Sequence, residues 1–259
     1  KILKIFADAV REKHILGYFD DTNLQNVALK SGIAGEIKNP PAGIQSDYLQ
    51  VNFVNIKGSK TDYVTENTIN LDTEMMLNGS IGHTLSVART HNGGDSKFGF
   101  YNRDNSAYIR VYVPKGARLE SITGQSITDF RPLIKHADFN FKTDPDLNAI
   151  ESTINHPMAG VDVYEESDKT VFGFWLVTKP KQTETITLNY TVAGEVSQDG
   201  EYSLYWQKQS GSSDQINFNF KIPEGQQVIS QSEDLQTIGD SLLLNSDLVI
   251  DREIKILLK

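Results

Sequence analysis

Two stretches of this chain read alike, Val111-Tyr-Val-Pro-Lys-Gly-Ala-Arg-Leu-Glu-Ser-Ile-Thr-Gly124 and Phe220-Lys-Ile-Pro-Glu-Gly-Gln-Gln-Val-Ile-Ser-Gln-Ser232. Each reads as a hairpin, a strand, a Pro-x-Gly turn and another strand, and each sits inside a similar order of β signals. Such repetition predicts a mainly β fold built as tandem Ig-like β-sandwiches. The expected division is a sandwich over residues 41–196 with a long insertion at 125–160, then a smaller unit over 197–259. The boundary is placed near Val196, where the opening order restarts. A single sandwich continuous across it is the alternative.

The strand signals are period-2 patterns rich in β-branched and aromatic residues. They run over Tyr48–Ile56, Asp62–Leu71, His83–Thr90, Tyr108–Val113, Val171–Thr178, Thr185–Val192, Tyr202–Gln207, Ile216–Ile222, Val228–Ser232, Leu242–Leu244 and Ile254–Leu258. In Thr185–Val192 the apolar Ile186, Leu188, Tyr190 and Val192 alternate with polar residues, so one face packs and the other meets water. Tyr190 and Tyr202 flank Gln198-Asp-Gly200 as a hairpin would. Turn signals at Ser210–Ser213 and Gly239-Asp240 separate the later strands. Between Gln125 and Gly160 the pattern lapses, except that Asp144 is placed to cap a short helix through Ile154.

Residues 1–40 differ in kind. Ile2, Phe6, Ala9 and Val10 share a helical face. Asp20 or Asp21 can cap a second helix over Thr22–Lys30, with Gly32 as its stop. His14–Phe19 and Ile33–Lys38 suit short strands. This α/β segment is too small to hold a core alone and reads as the remnant of an upstream domain. Its first helix has no capping residue ahead of it, so any anchor is expected upstream. Asn39-Pro-Pro-Ala-Gly43 then ends all regular structure.

Composition narrows the function. There are no cysteines, which removes disulfides and thiolate chemistry. A formal charge of −9 spread along the chain opposes nucleic-acid binding. No apolar run approaches the ~20 residues of a membrane span, so no transmembrane segment is expected in this chain.

Candidate chemistry is thin. The histidines at 14, 83, 91, 136 and 156 lack the spacing of a zinc site, the loose His136-Ala-Asp138 pair apart. Asp144-Pro-Asp-Leu-Asn148 opens like a calcium loop, but Ala149 and Asn155 stand where glycine and glutamate belong. Asp162, Glu165, Glu166 and Asp168 gather at a predicted turn and read as a solvated acidic tip rather than a carboxylate pair. No nucleophile elbow, phosphate loop or dinucleotide motif is present, so the expectation is a non-enzyme without cofactor or metal. Aromatic side chains are the better candidates. Phe172, Phe174 and Trp175 share one strand, and Tyr202, Tyr205 and Trp206 share another, so each strand must turn a ring to both faces. Phe172, Phe174, Trp175, Tyr205 and Trp206 are therefore the candidate binding surface; the competing reading is that they fill interfaces between units.

Glu12-Lys-His-Ile-Leu-Gly-Tyr-Phe-Asp-Asp21, Leu24-Gln25 and Ala34-Gly-Glu36 resemble bacterial proteins of the domain-of-unknown-function 4012 family. The resemblance continues through Asp47-Tyr-Leu, Lys60-Thr-Asp-Tyr63, Tyr108–Gly116, Thr170-Val-Phe-Gly-Phe174 and Gln207-Lys-Gln209, in order along nearly the whole chain. It implies the outward-facing, carboxy-terminal part of a cell-envelope protein, extracellular and anchored through a segment outside this chain. It carries no catalytic residues to transfer. The expected function is thus a non-enzymatic extracellular structural or binding module, with the upstream domain, cell-wall glycan or another surface protein as partner. The alternative is an accessory domain of an envelope glycopolymer-processing enzyme whose catalytic part lies upstream.

Overall fold

The alternation of apolar and polar residues is realised as two stacked sheets. The computed structural model describes residues 2–39, 47–56, 58–76, 79–128, 134, 138–193 and 200–259. The breaker at residues 40–43, His136, the boundary at Val196 and most of the 198–200 turn lie outside the described residues. Three helices are described, α1 (Ile2–Arg11), α2 (Thr22–Ser31) and α3 (Pro145–Glu151). The strands are β1 (Asp47–Asn55), β2 (Thr65–Met75), β3 (Ile81–His91), β4 (Asn105–Pro114), β5 (Arg118–Thr123), β6 (Asn155–Met158), β7 (Val161–Glu166) and β8 (Lys169–Thr178). They continue with β9 (Thr183–Val192), β10 (Glu201–Gln207), β11 (Asp214–Lys221), β12 (Val228–Gln231), β13 (Gln236–Ile238), β14 (Ser241–Leu248) and β15 (Arg252–Leu258).

One sheet has eight strands in the order β12-β15-β10-β1-β4-β8-β7-β6, the other seven in the order β13-β14-β11-β2-β3-β9-β5. Two pairs are parallel, β1 with β10 and β2 with β11; the rest are antiparallel. Both sheets therefore pass from strands before residue 194 to strands after 199 without a break. Ig-like sandwiches are antiparallel. The observed architecture, mainly β with two mixed sheets, fits that description less well than the sequence suggests. β9 and β10 lie in different sheets, so Tyr190 and Tyr202 do not flank a hairpin.

The two Pro-x-Gly turns also act differently from their sequence reading. β4 belongs to the eight-stranded sheet and β5 to the seven-stranded one, so the Pro114–Gly116 turn carries the chain between sheets. The Pro223–Gly225 turn carries it back the other way, from β11 to β12. Gly116 and Gly225 sit at φ +82° and +81°, a region glycine enters without strain. The turns repeat in sequence because both must reverse the chain across the thickness of the sandwich.

The inward residues of each strand meet in one core that runs through both sheets, from Leu49, Ile69, Leu85 and Ile109 to Trp206, Phe218, Leu242 and Ile256. Buried polar groups interrupt it near one end. Asp47 and His83 are both 4% exposed, and Asp47 Oδ2 accepts a 2.8 Å hydrogen bond from the Tyr202 hydroxyl. Asp47 Oδ1 accepts the Tyr48 amide, while His83 Nε2 stands 3.0 Å from Oδ2. Thr73 bonds His83 Nδ1 at 3.1 Å, and the Tyr190 ring stacks on the imidazole with centroids 4.7 Å apart. Burial, then the Asp47 charge, pushes the Tyr202 and Tyr190 hydroxyls well above the ordinary tyrosine pKa. Towards the far end, buried Arg89 bonds Asn67, Asn105 and Asp62 and lies 4.7 Å over the Phe53 ring.

Residues 2–39 keep the two expected helices. Asp21 caps α2 through the amides of Asn23 and Leu24, and Gly32 closes it at φ +77°. The expected strands at 14–19 and 33–38 do not form, and one backbone bond, Gly17 N to Ile33 O at 2.9 Å, links these runs. Instead, residues 36–38 strap the outer face of the eight-stranded sheet. Gln207 donates to the Glu36 carbonyl at 2.9 Å and accepts the Lys38 amide at 3.0 Å. Ile37 packs against Tyr48, Tyr112 and Val171. Lys13 meets Asp251 at 2.6 Å, and Lys208 donates to the Glu12 carbonyl at 3.0 Å.

Removing the buried donor to Asp47 tests the polar centre. Tyr202→Phe is expected to destabilise the protein by about 1–3 kcal/mol in urea unfolding, since a buried carboxylate oxygen loses its best-aligned partner. A loss below about 0.5 kcal/mol would show that the bond adds nothing to the fold.

Candidate functional site

The sequence-selected rings divide according to strand alternation. Phe172, Phe174 and Trp206 point inward and are fully buried, so they belong to the core and not to a binding surface. Phe172 meets Tyr190 edge-on with centroids 5.8 Å apart. Tyr205 points outward, but it stacks on Tyr48 and donates to Asp251 at 2.7 Å, beside the strapped amino-terminal segment. Trp175 also lies on the outer face, half-buried on β8.

The surroundings of Trp175 come from three adjacent strands. β4 turns Tyr108, Arg110 and Tyr112 outward at alternate positions, β8 contributes Gly173 and Trp175, and β7 contributes Asp162, Tyr164 and Glu166. The register sets Tyr108 opposite Trp175, and Gly173 between Arg110 and Asp162. Tyr108 meets Trp175 edge-to-face at 5.2 Å between centroids and donates to Asp162. It can do so because Gly173 has no side chain: a Cβ there would stand 2.1 Å from the Tyr108 hydroxyl oxygen. Glycine inside a strand here serves the close approach of a neighbouring ring.

Charge is arranged around these rings. His156 Nδ1 lies 2.8 Å from Asp162, Arg110 reaches Glu166 at 3.3 Å, and the Tyr112 hydroxyl donates to Glu166 at 3.2 Å. Burial raises the Tyr108 hydroxyl pKa, and the bond to Asp162 raises it further, so Tyr108 stays a donor across the physiological range. Burial opposes the Arg110 charge, yet Tyr112, Glu166 and Tyr164 outweigh it and hold its pKa above the ordinary value. The face therefore offers a fixed carboxylate, a guanidinium and a ring edge side by side.

The acidic turn divides along the same alternation. Ser167 and Asp168 sit at φ +53° and +57°, the left-handed pair of a tight hairpin, and Lys115 pairs with Glu165 at 3.1 Å. Asp162 and Glu166, by contrast, belong to the aromatic face. Asp144 caps α3 by accepting the amides of Asp146 and Leu147. The first residues of the long insertion run alongside β8 at Trp175, where Ser126 N donates to Trp175 O and the Val177 amide donates to Ser126 Oγ.

Tyr108, Arg110 and Asp162 were not singled out by their sequence positions as members of one site. The available signal was Tyr108-x-Arg-x-Tyr112, three bulky polar residues on the outward phase of an otherwise apolar strand. The partner carboxylate lies 54 residues away from Tyr108 and could not be paired without the register.

No protein-family model and no curated protein matches the chain. Solved structures similar to it include a Legionella pneumophila protein named as a candidate nutrient binding protein, at 7% identity and TM-score 0.37, covering 75% of this chain and 67% of that one. A yeast LTA4 hydrolase in complex with bestatin aligns at 5% identity and TM-score 0.38, over 85% of this chain and 31% of its own. An M1 zinc metallopeptidase of Deinococcus radiodurans aligns at 8% identity and TM-score 0.31, over 75% of this chain and 41% of its own. This chain thus spans less than half the length of either enzyme. Likeness at these scores assigns no activity.

Gly173→Ala tests the packing of the site. It is expected to cost about 1–3 kcal/mol in thermal or urea unfolding by driving the Tyr108 ring off Asp162. The same change in a Tyr108→Ala background should cost much less, and equal costs in the two backgrounds would show that the ring does not depend on the missing side chain.

Proposed function

We propose that this chain is a non-enzymatic binding module that takes glycan on the outer face of the eight-stranded sheet, with Trp175 and Tyr108 as its aromatic platform. In this reading the sheet pair, expected from sequence as Ig-like, is a rigid scaffold on the outside of a bacterial envelope protein, joined to an upstream domain. The observation that carries it is the cluster of Trp175, Tyr108, Asp162 and Arg110 on adjacent strands. A sugar ring presents an apolar C–H face and an edge of hydroxyls; a half-buried indole suits the first, and a carboxylate beside a guanidinium suits the second. Recognition by β-strand side chains rather than loops keeps these groups in fixed register. The envelope setting is carried into the proposal from the sequence resemblance, for which no family model matches.

The test is titration of the whole chain with soluble cell-wall glycan fragments, followed by amide chemical shifts. The expected result is saturable shifts centred on β4, β7 and β8, with at least about tenfold weaker binding for Trp175→Ala, as loss of a central aromatic anchor costs about 2 kcal/mol. Unchanged affinity in that variant, or turnover of a glycan by the chain, would overturn the proposal.

A further inference from the structure

The outer face of the seven-stranded sheet is of a different kind. Its outward phase presents hydroxyls and amides in cross-strand pairs: Ser86 with Thr187 at 3.1 Å, Thr84 to Asn189 at 2.8 Å, Asn189 to Ser121 at 2.9 Å, Asn217 to Asn70 at 2.7 Å and Asn219 to Asp72 at 2.8 Å. One cross-strand row runs Lys221, Glu74, Gly82, Thr191, and the absence of a side chain at Gly82 makes room for Met76 to fold over it. Beside it lies a depression of about 280 Å³ bordered by Asp72, Glu74, Met76, Glu120, Asn189 and Lys221. That volume lies just below the ~300–1,000 Å³ typical of small-molecule sites.

The chemistry of the depression is asymmetric. Met76 lays its methyl group over Gly82, 2.5 Å from where a Gly82 Cβ would be, and supplies an apolar wall. Glu74 is paired with Lys221 at 3.2 Å, and Glu120 with Arg118 at 3.5 Å. Asp72 has an amide donor in Asn219 but no ion pair among the described residues. Between the hydroxyl of Thr84, the amide of Asn189 and the Met76 methyl there is thus one unneutralised carboxylate. A ligand that satisfies all of them has hydroxyls, a small apolar face and a positive charge.

We propose that this depression binds an amino sugar with a free ammonium group, as a residue of a glycan chain laid across the hydroxyl-rich sheet face. The ammonium pairs with Asp72, neighbouring ring hydroxyls bond Thr84 and Asn189, and the sugar C–H face rests on Met76. N-acetylation removes the charge and adds bulk, so it abolishes the fit. The site is independent of the Trp175 face.

The experiment is calorimetric titration of the whole chain carrying Trp175→Ala, which silences the platform on the other face, with glucosamine hexamer, N-acetylglucosamine hexamer and lysine hexamer. The account expects glucosamine hexamer to bind at least about tenfold more tightly than both others, a difference of about 1.4 kcal/mol. Asp72→Asn keeps the bond from Asn219 and should lose that tenfold, and Gly82→Leu, which pushes the Met76 side chain out into the depression, should remove binding. Equal binding of lysine hexamer would reduce the effect to bulk charge and overturn the proposal. So would preference for the acetylated chain, no binding of glucosamine hexamer, or unaltered affinity in Asp72→Asn; each of these leaves the platform on the other face to be judged by its own titration.

Discussion

The Asp47 carboxylate ties the fold together across its thickness. It stands at the start of β1, accepts the Tyr202 hydroxyl from β10 in the same sheet, and faces His83 of β3 in the other. A buried carboxylate costs several kcal/mol unless donors surround it, so these partners hold one another in place. Tyr202 comes from the strand that pairs in parallel with β1. The polar contact and the parallel pairing therefore specify the same arrangement, in which the carboxy-terminal strands enter the sheets of the earlier ones. Leu204 and Trp206, which follow Tyr202 on the inward phase, then complete the apolar core.

With the core closed in this way, the outward phases of the two sheets are free to diverge. The eight-stranded sheet carries large amphipathic side chains, and part of it is covered by the strap around Ile37. The remainder holds the Tyr108 and Trp175 cluster. The seven-stranded sheet carries short hydroxyl and amide side chains that bond one another across strands. Such pairs stabilise a sheet only modestly, by roughly 0.2–1 kcal/mol each, but they fix the direction of donors and acceptors. Rigid scaffold and ordered surface are thus two consequences of one alternating pattern.

Most strands were legible because period-2 alternation is local. Thr185–Val192 reads as a half-buried strand from its own residues and is one. Partnering was not legible, because the tie between Asp47 and Tyr202 spans 155 residues. The same limit misled the reading of the Pro-x-Gly turns: a reversal within one sheet and a crossing between sheets use the same residues. Alternation does separate Trp175 from Phe172 and Phe174 by face, but it cannot say which face is the core until a neighbouring sheet is known. His83 carried a usable signal, since it falls in phase with Ile81, Leu85 and Val87 on an inward face. Such a histidine requires a buried partner, and only the fold identifies it as Asp47. The expected strands at 14–19 and 33–38 failed for want of a sheet edge to pair with, and the second run found side-chain anchors at Gln207 instead.

The central claim is that the strands on either side of residues 194–199 form one cooperative body. Native-state hydrogen exchange under increasing denaturant tests it most directly, because it reports the opening free energy of each strand separately. The account predicts that the core amides of β1, β2, β10 and β11 exchange through a common global opening. Exchange of β10–β15 through an opening of lower free energy, with β1–β9 still protected, would contradict it.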